Sequence, residues 1–515
     1  MMNTFITRHR PKIIGVLRGF DRLIFRGYLR PLCHLGGMLG FLWHNRVLLK
    51  DFAHFAQETT ARLKEASLAE AEALGRPVIY LESNRMSKEQ AARNVFDQSP
   101  VERGLICIFK IVEPCTTYEI HRSREKQRLE LRGHRGKCMH FYHYYLDPDF
   151  GFMNARIQTW FPFAIQIWVN GRSWLKTQLD RADIPYLQAG NCFPWLLDVV
   201  QAQRILDRLL KRAWPRTLDG FARQLNPAHP DIFRTVPMRY YWSIHQSEWA
   251  TDVMFEDEKA LATIYPALVR HAITSMASED VMRFLGRKPH PLYQGEVVSD
   301  YKDRPEGIRV KHRVGQNSVK IYDKERTILR VETTLNDPSD FKVFREKQDE
   351  NDGELSWLPL RKGVADIHRR AHVSDASNDR YLDALACVED KTPLRNIFRD
   401  VQKRTTLNGQ PIRALRVWDP DEVRLLAAVG SGEFVINGLR NRDLVSKLYP
   451  MFVNENDRRK RAAHITRRLR ILRAHGIVQK VRATNRYMVT DKGRTLISAV
   501  TTSLEADINS LLKAA

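Results

Sequence analysis

The sequence predicts a multidomain α+β protein in which central antiparallel β-sheet regions are flanked by helices and followed by a separate C-terminal module. Three observations predict it. A chain of 515 residues exceeds what one core supports, because domains run to roughly 100–200 residues. Short apolar or alternating runs cluster between positions 104 and 169 and again between 293 and 332, with helix-period stretches around them. The final stretch reads as helix, strand, helix, helix and hairpin. The expected organisation is an N-terminal α+β domain over 1–225, a helical segment with a β-meander over 226–390, a linker over 391–418, and the module over 419–515.

Ile13 to Leu29 reads as one or two strands, with Asp21 a lone carboxylate inside an apolar run. Leu39 to Leu74 carries helical periodicity and stops at Gly75-Arg76-Pro77, after which Pro77 to Leu81 is a short strand. From Gly104 to Val169 the runs GLICIFKIV, TTYEIHRS, RLELRG, CMHFYHYYLD, MNARIQTWF and FAIQIWVNG predict five or six antiparallel strands. Helices are expected at Trp174 to Asp183 and Leu196 to Arg212, and residues 227–285 look mainly helical. There His245, Glu248 and Asp252, at i, i+3 and i+7, would share one helical face and are a secondary catalytic or metal candidate. In the second β block GIRVKHRV, SVKIYD and ILRVETTL form a meander with turns at Gly315-Gln316-Asn317 and near Glu325-Arg326. Helices return at Gly363 to Ala371 and Asp379 to Cys387, and weak periodicity over 388–418 marks the linker.

Lys and Arg number 83 against 60 Asp and Glu, a formal charge of +23 with a pI near 9.8, and that surplus points to a polyanionic partner. No stretch approaches the roughly 20 apolar residues of a membrane span, and the N-terminus has no signal-peptide pattern, so no membrane partner and a cytoplasmic location are expected. Six cysteines without a C-x-x-C pair indicate neither a zinc ribbon nor a disulfide framework, and Cys138 with His134, His140 and His143 has no standard zinc spacing. There is no P-loop and no dinucleotide fingerprint, so no nucleotide cofactor is expected. The aromatics of Phe141 to Tyr145 and Trp160 to Trp168, with Tyr240, Tyr241, Trp242 and Trp249, read as core, the alternative being stacking platforms for unpaired bases.

In the C-terminal module Asp421 to Val429 is a first helix and Phe434 to Ile436 a short strand. Asn441 is the expected N-cap of a second helix that ends before Pro450. Asp457 is the expected N-cap of a third helix, ended by Gly476, with Ala462, Ile465, Leu469 and Leu472 on one face. Ile477 to Val481 and Tyr487 to Thr490 form a hairpin and Lys492 to Leu512 a closing helix. This is the order of a winged-helix domain. Thirteen basic residues and one acid lie between Arg458 and Arg494, which makes nucleic acid the expected partner, duplex DNA first and RNA as the alternative. The candidate contacts are Arg458, Arg459, Lys460, Arg461, Arg467, Arg468, Arg470 and Arg473 on the helix and Arg482 and Arg486 on the hairpin.

Elsewhere, Glu332 and Asp21 are each a single carboxylate among apolar residues on an expected strand, the setting that hard cations such as Mg²⁺ select. Asp300 and Asp323 come next, and Glu332 has as its alternative a cross-sheet pair with Arg330 or Lys320. The segment Lys311 to Asp337, with Tyr322-Asp323-Lys324 before Arg330-Val331-Glu332, resembles the strand pair of plasmid and phage rolling-circle replication initiators, in which a Y-x-K turn precedes an R-x-E strand. The resemblance implies a metal at Glu332 and a tyrosine nucleophile at Tyr322, with Tyr301 the other nearby tyrosine. Those initiators usually carry an H-x-H pair, where this chain has His140 and His143 at H-x-x-H spacing. The whole chain also resembles a widespread bacterial family with a C-terminal winged helix. The expected function is a DNA-binding protein of a mobile element or plasmid with metal-dependent nicking, replication-initiator or transposase-like activity; the alternative is a non-catalytic RNA- or DNA-binding protein.

Overall fold

Runs of β-branched and aromatic residues between positions 104 and 169 form strands longer than the intervening turn signals suggest. A computed structural model describes residues 3–82, 87–274, 276–287, 296–304, 307–346, 355–386, 394–430, 439–449, 451, 454–481 and 484–505. In chain order the strands are β1 Ile13–Tyr28, β2 Val78–Tyr80, β3 Gly104–Ser123, β4 Arg128–Asp147, β5 Gly151–Gln158, β6 Ile165–Asn170, β7 Tyr186–Ala189 and β8 Cys192–Leu196. They continue with β9 Tyr241–Phe255, β10 Val297–Arg304, β11 Gly307–Val314, β12 Asn317–Lys324 and β13 Ile328–Leu335. The chain divides into two units, each discontinuous in sequence. One comprises Ile14–Met254 and Thr327–Ala376, the other Met1–Ile13, Phe255–Arg326 and Ser377–Ala515.

In the first unit the strands neighbour one another in the order β13-β9-β1-β6-β5-β4-β3-β2. The six expected runs between 104 and 169 are four strands, because β3 and β4 each absorb two of them and stay paired from Gly104 opposite Leu146 to Ser123 opposite Arg128. Pro114 is tolerated inside β3 because β2 covers only Ile108 to Lys110, so further along β3 presents an edge that needs no N–H there. β2 runs parallel to β3, so the sheet is mixed and not purely antiparallel. Apolar side chains from β1, β4, β5, β6 and β9 meet the helices Leu35–His44, Phe52–Ala73, Gly171–Arg181 and Trp214–Leu225 in one large core. Phe141, Tyr142, Phe161, Phe163, Trp242 and Trp249 are buried, as packing requires.

The largest correction lies at 227–285, where the expected helix is interrupted by β9, a 15-residue strand. Most of β9 is buried on both faces, so it lacks the alternation that reveals a half-buried strand. Because side chains alternate along a strand, His245 points away from the face that carries Glu248 and Asp252, and the three do not form a constellation. The expected helix over 39–74 is two helices, and those expected at 363–371 and 379–387 are one, Ile367–Leu385. Arg370 on it is 1% exposed and donates to Ser247 Oγ (2.8 Å), Ile244 O (3.0 Å) and Leu335 O (2.7 Å), tying the ends of β9 and β13 together. Asp375 accepts from Arg18 (2.9 Å) and Trp249 Nε1 (3.0 Å), so the same helix also pins β1 to β9.

In the second unit β10, β11 and β12 pair antiparallel in sequence order, with Gly315 at φ +57° in the turn between β11 and β12. Val310, Val314, Val319 and Ile321 are buried on one side of this meander. Further on come helices Pro420–Val429, Asn441–Leu448, Glu455–Ala474 and Asp491–Glu505, and a sheet in which Arg486–Val489 lies between Leu439–Arg440 and Val478–Lys480. Ile465, Leu469 and Leu472 pack with Leu425, Leu426, Leu444, Ile477 and Leu496 in a core of their own. The caps differ from expectation. Asn441 is the first helical residue after the cap Arg440, and its side chain donates to Ala462 O and Thr466 Oγ1 (both 2.8 Å). Asn454 caps the third helix by accepting from Asp457 N (2.8 Å), which frees Asp457 to bind Arg461. The strand expected at Phe434–Ile436, and Arg482 and Cys387, lie outside the described residues. Among the described residues no helix is long and apolar enough to cross a membrane.

Candidate functional site

Three neighbouring strands each contribute one carboxylate to a single point. Asp21 stands on β1, Glu248 on β9 and Glu332 on β13, and one oxygen from each lies within 4.8 Å of the others. The register explains why. Arg330 faces Asp252, Glu332 faces Ala250 and Thr334 faces Glu248, so Arg330, Glu332, Glu248 and Asp252 stand on one face of the sheet with the two glutamates one diagonal step apart. Asp21 is 3% exposed, Glu332 is 1% exposed and the Glu248 side chain 13%.

A second layer holds this triad. The guanidinium of Arg330 grips both oxygens of Asp252, with Nη2 to Oδ2 at 2.8 Å, and Arg172 Nη2 meets the same Oδ2 at 2.9 Å. Both arginine side chains are completely buried. Burial, and then the like charge of Arg330, hold Arg172 below the usual arginine range. Gly171 makes room for that arginine, since a Cβ there would sit 1.9 Å from Phe20 O and keep the helix start off β1. Arg330 also approaches Asp21 (Nη1 to Oδ2, 3.6 Å) and donates to Asn191 O (2.7 Å) between β7 and β8. Asn191 Nδ2 in turn donates to Asp21 Oδ2 at 2.6 Å. The other oxygen, Asp21 Oδ1, is buried and accepts no hydrogen bond among the described residues. Glu248 accepts from Gln246 Nε2 (3.0 Å), and Arg22 stands 3.9 Å away at the rim.

Charge decides what the arrangement can do. Asp252 is neutralised by the two arginines, whose remaining positive charge offsets Asp21. Glu248 and Glu332 bring two further carboxylates to the same point in a water-poor setting, where like charges repel far more strongly than in bulk water. A divalent cation is the counter-charge that hard oxygen donors select, and the orphaned Asp21 Oδ1 is a lone pair ready for it. The donor set is therefore able to hold a metal ion.

Of the residues singled out in the sequence, Asp21 and Glu332 are brought together, and Glu248 joins them because β9 is a strand between β1 and β13. Tyr322 belongs to the other unit, half-buried on β12 with Lys320 Nζ 5.3 Å and Lys324 Nζ 5.9 Å from its ring. Asp300 is opposite Lys311 and 3.6 Å from Arg309, while burial pushes the Asp323 carboxyl up to about 6. Cys138 Sγ lies 4.0 Å from His140 Nδ1, while His143 is sealed in the core against Ser67 Oγ (3.0 Å) and His134 is at the surface beside Glu119 (3.2 Å), so the four do not form one site.

The basic third helix of the C-terminal module sorts its cations into two groups. Arg461 is tied to Asp457 (3.0 Å), and Arg468, whose side chain is 15% exposed, sits 3.8 Å from buried Glu422 and 3.9 Å from Asp421. Arg458 and Arg459 face Glu455 at 3.4 and 4.0 Å in exposed pairs that solvent screens. Lys460, Arg467, Arg470 and Arg473 are exposed, Arg470 donating to Gln410 Oε1, and Arg486 is half-buried on the hairpin. An open cavity lined by Arg440, Lys480, Thr484 and Asn485 adjoins the hairpin. The chain matches no family model, no curated protein and no solved structure.

Proposed function

We propose that the protein is a metal-dependent enzyme of phosphodiester chemistry on DNA. Asp21, Glu248 and Glu332 hold Mg²⁺, and the C-terminal module, a winged helix, grips the duplex. One observation carries the reading: three carboxylates from three neighbouring strands meet within 4.8 Å, held from behind by two buried arginines. Held by these three carboxylates, a Mg²⁺ ion would supply Lewis acidity and a water of lowered pKa. The chain's own part is to fix the donors, through Asn191 and Arg330 on Asp21 and Gln246 on Glu248, and to offer Arg22 as a cation beside the site. The order of helices and strands around the hairpin and the exposed Arg467, Arg470 and Arg473 support the winged-helix and DNA assignments.

A second reading rests on the 3.6 Å approach of Arg330 to Asp21: the cluster is a buried ion-pair network and the protein a non-catalytic DNA or RNA binder. One experiment separates them. Wild type and Glu332→Gln are incubated with supercoiled plasmid and Mg²⁺, and Mn²⁺ binding to both is followed by its paramagnetic resonance signal. Relaxed or linear DNA and bound Mn²⁺ with wild type alone support the enzyme. Unchanged plasmid and no Mn²⁺ binding by either protein leave the structural network.

A further inference from the structure

The meander of β10, β11 and β12 is apolar on one face and cationic on the other. Val310, His312, Val314, Val319 and Ile321 are buried, and His312 lies between Ser299 Oγ (2.7 Å) and the Tyr381 hydroxyl (2.9 Å). The alternate positions of the same strands carry Lys302 on β10, Arg309, Lys311 and Arg313 on β11, and Lys320 and Lys324 on β12. Tyr322 stands between those last two lysines, directly opposite Arg309. Asp300 is the acid of this face among the described side chains, 3.6 Å from Arg309.

Lys311 is directly opposite Lys320, and like charges facing each other across a ladder destabilise the pair. Partial burial, and then Lys320 and Arg309, hold the Lys311 ammonium below the usual lysine range. Cations kept at such spacing are stabilised when an anion lies across them. Strands rise about 3.3 Å per residue and stand about 4.8 Å apart, so the cations form a grid with repeats of about 5–7 Å, the scale of successive phosphates on an unpaired strand. A tyrosine in the middle of the grid is what a base needs to stack on. A duplex fits this face poorly, because a flat sheet face with one aromatic offers nothing to enter a groove.

We propose that this face binds single-stranded nucleic acid, with Lys311, Arg313, Lys320 and Lys324 along the phosphates and Tyr322 under a base. Tyr322 is then a stacking platform and not a nucleophile. The proposal stands apart from the metal centre and from the C-terminal helix, so the three fail independently.

The test uses the full-length protein, a short fluorescent oligothymidine, the matching oligouridine and a blunt duplex of equal length, with anisotropy read across a salt series. Wild type should bind the single strands, and the Lys311→Gln, Arg313→Gln, Lys320→Gln triple variant should lower the salt slope by about 2, at about 0.7 per phosphate contact. Tyr322→Ala should weaken oligothymidine binding about 5- to 150-fold, and Tyr322→Phe, which keeps the ring, should restore binding. All three variants should melt no lower than wild type, which reports that they are folded, and their affinity for the duplex should be unchanged. Oligouridine bound more tightly than oligothymidine makes RNA the strand preferred. A triple variant that binds oligothymidine with wild-type slope, or Tyr322→Phe as weak as Tyr322→Ala, overturns the proposal.

Discussion

Glu332 and Glu248 lie on adjacent antiparallel strands one diagonal step apart, Glu332 opposite Ala250 and Glu248 opposite Thr334, and their carboxylate oxygens come within 4.8 Å of each other and of Asp21. Two carboxylates at that separation in a buried setting raise each other's energy unless a cation stands between them. Added Mg²⁺ or Mn²⁺ should therefore raise the melting temperature, by an amount equivalent to about 2.7 kcal/mol when the ion is at 100 times its dissociation constant. Glu332→Gln should lose that response. Differential scanning calorimetry with and without the ion reads both, and equal shifts in the two proteins would argue against a metal centre here.

Asp252 meets both Arg172 and Arg330, each fully buried. Asp252→Asn leaves two guanidiniums side by side without that charge, the situation in which removing one partner of a buried pair costs about 3–5 kcal/mol. Asp375→Asn, whose partners Arg18 and Trp249 are part-buried, should cost less. Urea denaturation compares the two, and an Asp252→Asn midpoint at or above that of Asp375→Asn would contradict the network described.

Acid should destabilise the fold well above the usual carboxylate range. Burial holds His143 and His312 down at about 4, whereas an unfolded histidine titrates near 6.5. The unfolded chain thus binds more protons between those values, so the contribution of each is complete above pH 6.5 and is lost as pH falls towards 4, to a total of about 3 kcal/mol per histidine. Melting temperature against pH should slope upward through this window, and His143→Gln should flatten it. A variant with the wild-type slope would show that His143 does not titrate there.

Arg467 and Arg473 are exposed, and no carboxylate among the described residues is within ion-pair distance of either, whereas Arg461 and Arg468 are held by Asp457, Asp421 and Glu422. Arg467→Gln with Arg473→Gln should lower the salt slope of duplex binding by about 2 and leave stability unchanged. Arg468→Ala should act the other way, lowering stability through the loss of buried Glu422's neighbour and moving the slope little. Fluorescence anisotropy and melting on both variants would expose an error if the effects came out reversed.

Much of this was legible locally. The C-terminal helix Glu455–Ala474 shows its buried residues Ile465, Leu469 and Leu472 at helical spacing, and β11 and β12 appear in the alternation and in the turn at Gly315. Asp21 and Glu332 stood out because a charge amid apolar strand residues must be compensated somewhere. β9 did not stand out. It is mostly buried on both faces, so it lacks polar–apolar alternation, and the spacing of His245, Glu248 and Asp252 imitates a helix. Glu248 could be recognised as the third carboxylate of the cluster only once β9 was known to be a strand between β1 and β13.

The sequence by itself determined the α+β class, most of the elements, the cationic C-terminal helix and two of the three clustered carboxylates, because propensity, periodicity and charge are properties of neighbours along the chain. Tertiary structure decided the strand order β13-β9-β1, which gathers Asp21, Glu248 and Glu332, and decided which arginines are engaged, as Arg330 by Asp252 and Arg468 by Glu422. Those outcomes depend on which distant segments close upon each other. A residue carries no local mark of the partner that chain closure brings to it.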